Sequence, residues 1–250
     1  MTNKYMYFIA NWKMFGDVKS LNSLNKVIKF SKSSKINKFK LIYCPPYTLL
    51  THFFKKIKNS KIILGAQNCH YEEATGPYTG SISSKMLKKI GVKYVIIGHS
   101  ENRISGDTDK QINKKIKSSI KNGLKIIFCF GESLKQKRKK QTYKVLTKQI
   151  TKALQGVKRK DKIIFAYEPV WSIGTGLIPK SKELNLTIKF VKTKLKNKFR
   201  LKLPKVLYGG SVNTINIKNL KEIKIIDGFL IGGASQKSKN LIDIVKKTFI

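Results

Sequence analysis

The sequence predicts a (β/α)8 barrel, eight parallel strands closed into a ring with an outer ring of helices. Three observations predict it: eight short apolar runs rich in β-branched residues, lysine-rich stretches of helical period between them, and a length of 250 residues. A strand that is apolar at nearly every position is buried on both faces, as in a parallel sheet; an alternating strand faces water on one side. Strands that alternate with helices make βαβ units, and eight such units in about 250 residues are what a barrel requires. A doubly wound sheet would share the alternation, but no Gly-x-Gly-x-x-Gly follows the first strand. Residues 1–250 read as one domain, long enough to bury roughly 70–75% of its extended surface.

Most of the runs end in unusual polar chemistry. Tyr7–Ala10 leads into Asn11-Trp12-Lys13, after which Leu21, Leu24, Val27 and Ile28 keep helical spacing. Leu41–Cys44 and Ile62–Ala66 are the second and third runs, with His52 in an amphipathic stretch between them. Tyr94–Ile97 leads to Gly98-His99-Ser100-Glu101, where Ser100 suits a helix N-cap. Ile126–Phe130 contains Cys129, read as a small buried hydrophobe, and leads to Gly131-Glu132. The cluster from Lys135 to Lys140 reads as a solvated helix start, and Val145, Leu146, Ile150 and Leu154 follow at helical spacing. Ile163–Tyr167 leads to Glu168-Pro169, Val206–Tyr208 to Gly209-Gly210-Ser211, and Phe229–Ile231 to Gly232-Gly233. In a barrel these C-terminal strand ends converge on one face, so residues far apart in the chain would share one pocket.

The formal charge of +40 comes from 53 Lys and Arg against 13 Asp and Glu, yet only four of the cations are arginine. Arginine is the residue that forks onto phosphates and bases, and no recognition motif accompanies the lysines. Lysine, isoleucine and asparagine, all with A/T-rich codons, are abundant, whereas alanine occurs six times. The charge is therefore read as compositional drift rather than a nucleic-acid surface, although its field attracts anionic small molecules. Cys44, Cys69 and Cys129 make an odd count without metal-ligand spacing, which excludes a disulfide scaffold and a zinc ribbon and fits a reducing, cytoplasmic setting. No apolar run approaches the ~20 residues of a membrane span, and Tyr5 to Ala10 is too short for a signal-peptide core.

Five of these segments resemble one family. They are Asn11-Trp12-Lys13-Met14, Gly98-His99-Ser100-Glu101, the run from Tyr167 to Gly176, Tyr208-Gly209-Gly210-Ser211-Val212 and Gly232-Gly233-Ala234-Ser235. Their order and spacing resemble the triosephosphate isomerases from the first strand to the last. The resemblance implies a TIM barrel that interconverts dihydroxyacetone phosphate and D-glyceraldehyde 3-phosphate through an enediolate, with no metal and no organic cofactor. It implies Glu168 as the base that takes the proton beside the carbonyl, His99 as a neutral imidazole polarising that carbonyl, and Lys13 as the cation at the developing oxygen. Asn11 would help hold Lys13, and Glu101 would assist. Gly174, Ser211, Gly232 and Gly233 would bind the phosphate together with Asn11 and Lys13. Residues from Pro169 to Pro179 would form a lid. Gly76 to Gly80 resembles the loop that reaches into a partner subunit, which implies a homodimer. Two departures fall at that contact: Ser81 stands where the family commonly has glutamate, and Asn102 where it commonly has arginine. Phe15 replaces the usual asparagine after Lys13-Met14. The competing readings are another phosphosugar barrel enzyme, which would not need His99 and Glu168 jointly, and a basic nucleic-acid-associated protein, which would bind nucleic acid with a steep salt dependence.

Overall fold

The computed structural model describes residues 5–34, 36 and 38–249. Eight strands pair in parallel and close in chain order: β1 (Met6–Asn11), β2 (Phe39–Cys44), β3 (Ile63–Ala66), β4 (Tyr94–Ile97), β5 (Lys125–Phe130), β6 (Ile163–Tyr167), β7 (Lys205–Tyr208) and β8 (Gly228–Ile231). The ring closes where Tyr7 to Ala10 of β1 pair with Gly228 to Ile231 of β8. The apolar runs located β4 and β6 to the residue. Most other strands start one or two residues earlier than their runs, at polar residues such as Lys125 and Lys205, because backbone pairing continues past the last apolar side chain.

Helices α1 (Leu24–Ser33), α2 (Leu50–Ile57), α3 (Ser84–Lys89), α4 (Ser100–Ile104), α5 (Asp109–Lys121), α6 (Leu134–Arg138), α7 (Thr142–Leu154), α8 (Ser181–Asn197), α9 (Ile217–Leu220) and α10 (Ser238–Phe249) lie between and after the strands. Leu24 and Val27 of α1, and Leu146, Ile150 and Leu154 of α7, are buried as their spacing demands. Two cores result. One runs between the ring and the helices; the other comprises only strand residues, including Ile9, Ile42, Ile96, Ile127, Ile164 and Leu207, and fills the barrel.

Two local expectations change. The segment after Ser133 is not the start of one long helix. Ser133 and Gln136 close a capping box on α6, and α7 begins only at Thr142. Nor does Ser100 cap α4: the N-cap is His99, whose own imidazole accepts the Glu101 N–H.

Candidate active site

The C-terminal ends of the strands surround a pocket of about 210 Å³. Asn11, Lys13, His99, Glu168, Gly174, Ser211, Gly232 and Gly233 all line it. Strand ends separated by the whole chain thus meet, as the barrel topology requires. Glu101 is the exception among the residues singled out in the sequence, since it does not line the pocket.

Glu168 follows β6 and is 2% exposed. Its Oε1 lies 3.5 Å from His99 Nε2, while Oε2 has no hydrogen-bond partner among the described residues. Burial pushes its carboxyl pKa up; the Cys129 thiol and Lys13 partly offset that rise. A carboxylate with a free, desolvated oxygen is a stronger base than one in water. Such an approach needs room on both sides. A Cβ on Gly131 would meet the Glu168 carbonyl oxygen at 1.7 Å, and one on Gly209 would meet Glu168 Cγ at 2.7 Å.

His99 is 4% exposed and follows β4. The Glu101 backbone N–H donates to its Nδ1 at 3.2 Å. A nitrogen that accepts carries no proton, so the network assigns a neutral ring with its hydrogen on Nε2, the atom that faces Glu168 and the pocket. Capping and tautomer are thus one feature: protonation of Nδ1 would cost the helix its cap.

Lys13 sits in a left-handed backbone conformation, φ 54°. Three contacts hold it there. Asn11 Oδ1 accepts the Lys13 N–H at 3.0 Å. Gln67 donates through Nε2 to the carbonyls of Lys13 at 2.7 Å and Cys44 at 2.9 Å. Glu101 Oε1 receives the ammonium at 2.5 Å. Glu101 therefore acts on the pocket from behind, fixing both Lys13 and the His99 tautomer.

Opposite these groups, Gly232 opens a short 3-10 turn, Gly233–Gln236, rather than an α-helix; α10 starts later, at Ser238. Exposed Gly233 offers its N–H to an anion at the pocket edge, which Ser211 also lines. The segment from Pro169 to Pro179 begins with a 3-10 turn, Val170–Ser172, and its tip, Gly174 and Gly176, takes positive φ.

The profile of the triosephosphate isomerase family matches residues 6–248. The triosephosphate isomerase of Alkaliphilus oremlandii is 39% identical over 242 residues, covering 94% of this chain and 96% of that one. That of Thermoanaerobacter pseudethanolicus is 41% identical with the same coverage. The crystal structure of the Bartonella henselae triosephosphate isomerase superposes with a TM-score of 0.89 at 33% identity, covering 98% of this chain and 99% of that chain. The chain belongs to the triosephosphate isomerase family.

Four further groups around this family pocket escaped the reading of the sequence. Gln67 carries no local motif. Glu132 did stand out as a polar residue ending β5, but without a partner. It is 1% exposed and receives Tyr167 Oη at 3.1 Å and Trp171 Nε1 at 3.0 Å, which ties the start of the 169–179 segment to the barrel. The Lys137 ammonium lies 3.8 Å from the centre of the Trp171 ring and pairs with Glu183, so the lysine cluster on α6 is not merely solvated. Ser172, fully buried, bonds Tyr208 Oη at 2.9 Å and accepts the Ser211 N–H at 3.3 Å, linking the 169–179 segment to the loop after β7. Cys129 is buried as expected, but it lies against the Glu168 carboxylate rather than being inert filler.

Proposed function

We propose that this chain interconverts dihydroxyacetone phosphate and D-glyceraldehyde 3-phosphate, a step of glycolysis and gluconeogenesis, with Glu168, His99 and Lys13 as its catalytic residues. One observation carries the assignment: a buried, raised carboxylate and a neutral imidazole approach within 3.5 Å in a pocket that also holds Lys13 and ends in the Gly232-Gly233 backbone.

Phosphate seats against the Gly233 N–H and Ser211 beneath Gly174 of the lid, with Lys13 and Asn11 on the other side. Glu168 takes the proton from the carbon next to the carbonyl. The C–H electron pair forms the enediol double bond, and the carbonyl pair moves onto oxygen. The Nε2–H of His99 and the Lys13 ammonium stabilise that oxygen. The former carbonyl oxygen takes a proton from His99 Nε2, and the neighbouring hydroxyl gives one back to that nitrogen; the freed oxygen pair forms the new carbonyl while the double-bond pair takes the proton from Glu168 at the neighbouring carbon. Closure of the lid excludes water, which would otherwise solvate the carboxylate and expose the intermediate. Glu101 and Asn11 position Lys13, and Glu101 also fixes the His99 tautomer. No step calls on a metal or organic cofactor.

The chain acts as one domain and assembles as a homodimer in the cytoplasm. The loop from Gly76 to Gly80 is exposed in the single chain, as are Met14, Phe15 and Val18 beside Lys13. That apolar group at the pocket rim is what a partner loop would cover.

Turnover of glyceraldehyde 3-phosphate by wild type and Glu168→Gln tests the assignment. Removal of the general base should lower kcat by about a thousandfold or more with KM little changed. A folded Glu168→Gln protein that retains a tenth of wild-type kcat would overturn the role of Glu168.

A further inference from the structure

The opposite end of the barrel carries a feature that the reaction does not use. The strand residues packed inside the barrel include Ile9, Ile42, Ile127, Ile164 and Leu207, with Tyr94 at the start of β4. Side chains alternate along a strand, so the positions two residues earlier belong to the same face, at the N-terminal mouth. Those positions are Tyr7, Lys40, Lys125, Lys162 and Lys205. The register agrees: Tyr7 lies beside Lys40, Tyr94 beside Lys125, and Lys205 beside Ile164.

Lys205 reaches Asp227 at 4.0 Å, and Lys192 already engages that carboxylate at 2.6 Å. Among the described residues, no carboxylate lies within ion-pair distance of Lys40, Lys125 or Lys162. Aromatic faces are there instead. The Lys40 ammonium lies 5.6 Å from the centre of the Tyr7 ring and 5.7 Å from that of Tyr5; the Lys125 ammonium lies 5.6 Å from that of Tyr94. Partial burial, then Lys40 and Lys162, lower the Lys125 pKa, so the Lys125 ammonium feels the other two.

We infer that the N-terminal mouth of the barrel is a second anion site, taking a compact oligophosphate between Lys40, Lys125 and Lys162. A multivalent anion relieves the repulsion among the three ammoniums and gives each a charge-assisted hydrogen bond. A single phosphate supplies less charge than the cluster offers. The mouth lies across the filled barrel from the catalytic pocket, so occupancy leaves turnover intact.

The test is calorimetric titration of inorganic tripolyphosphate into three proteins: wild type, Lys40→Met/Lys125→Met, and Lys85→Met/Lys144→Met. The last loses the same charge from exposed helix positions elsewhere. Loss of two charge-assisted hydrogen bonds should weaken binding by about tenfold or more in the mouth variant. The control should stay within about twofold of wild type, and kcat and KM should match wild type in both. Equal weakening in the two variants would overturn the site and leave only the diffuse field of the +40 chain. Should the mouth variant fail to fold, lysine acetylation of the unaltered protein replaces it. Tripolyphosphate should then shield Lys40 and Lys125 from the reagent more than Lys85 and Lys144; uniform shielding would overturn the proposal. Nucleoside triphosphate, run in parallel, separates two sources of the same chemistry. Equal affinity assigns recognition to the phosphate chain alone, and tighter binding adds the nucleoside.

Discussion

Gly209→Ala tests whether the position of the base, and not merely its presence, sets the rate. Gly209 follows β7 with its Cα against Glu168. A Cβ there would lie 2.7 Å from Glu168 Cγ and 3.2 Å from Oε1. Ordinary contact begins at 3.4 Å, so Glu168 Cγ must retreat by about 0.7 Å and carry the carboxylate with it. It cannot retreat freely, because Gly131 packs directly against the Glu168 backbone on the other side. A misplacement of about 1 Å costs on the order of a hundredfold in rate, or about 2.7 kcal/mol. Steady-state turnover of glyceraldehyde 3-phosphate should therefore show kcat lowered by roughly a hundredfold with KM changed less than about threefold, since the phosphate contacts are untouched. Circular dichroism and thermal melting would establish that the variant is folded. A folded Gly209→Ala protein with wild-type kcat would refute the reasoning.

The remaining predictions concern stability and assembly. Glu168 has a raised pKa in the fold, so its ionised form destabilises the native state at neutral pH and its protonated form does not. Glu168→Gln should accordingly melt higher than wild type at pH 8, and the gap should close as pH falls toward about 4.3; a pH-independent gap would show that burial of the charge is not its origin. Trp171→Phe removes one of the donors to buried Glu132 and should cost about 1–3 kcal/mol in urea denaturation; no loss would mean water replaces the indole. The proposed homodimer would join two chains of +40 without the family's usual glutamate and arginine pair at Ser81 and Asn102. Its sedimentation should shift toward monomer as salt falls from about 0.15 M to 0.01 M, where the Debye length grows from about 8 to 30 Å. Salt-independent sedimentation would reject that account.

Elements whose physics is local were legible in the sequence. Strands β4 and β6 are unbroken apolar runs with polar residues on both sides, and their ends matched the structure. The pocket was legible for the same reason: barrel topology brings every strand end to one mouth, so Lys13, His99 and Glu168 could be placed together without knowing any distance. Functions that live in pairings distant along the chain were not legible. Gln67 bonds the carbonyl of Lys13, 54 residues away, and nothing beside it in the sequence announces this. Glu132 was visible as a strand-end carboxylate, but its meaning depends on Trp171 and Tyr167 folding over it. Ser100 failed as a cap for a subtler reason. Serine is the stronger general preference, yet His99 holds the N-cap backbone geometry and its Nδ1 reaches the same N–H.

The net charge and the buried base pull in opposite directions, and their balance explains what the lid contributes. A field of 53 cations against 13 acids favours every carboxylate anion. Exposed Asp161 obeys it: paired with Arg159 in water, its pKa is lowered. Glu168 does not, because loss of water outweighs the cations around it. The dominant influence on the base is therefore solvation, and solvation is what changes during a turnover. An arriving phosphate dianion displaces water and places negative charge near Glu168. Closure of the proposed lid would remove more water. Each change raises the proton affinity of the carboxylate further, and each occurs only with substrate bound. The basicity of Glu168 is therefore set by how much water its carboxylate keeps.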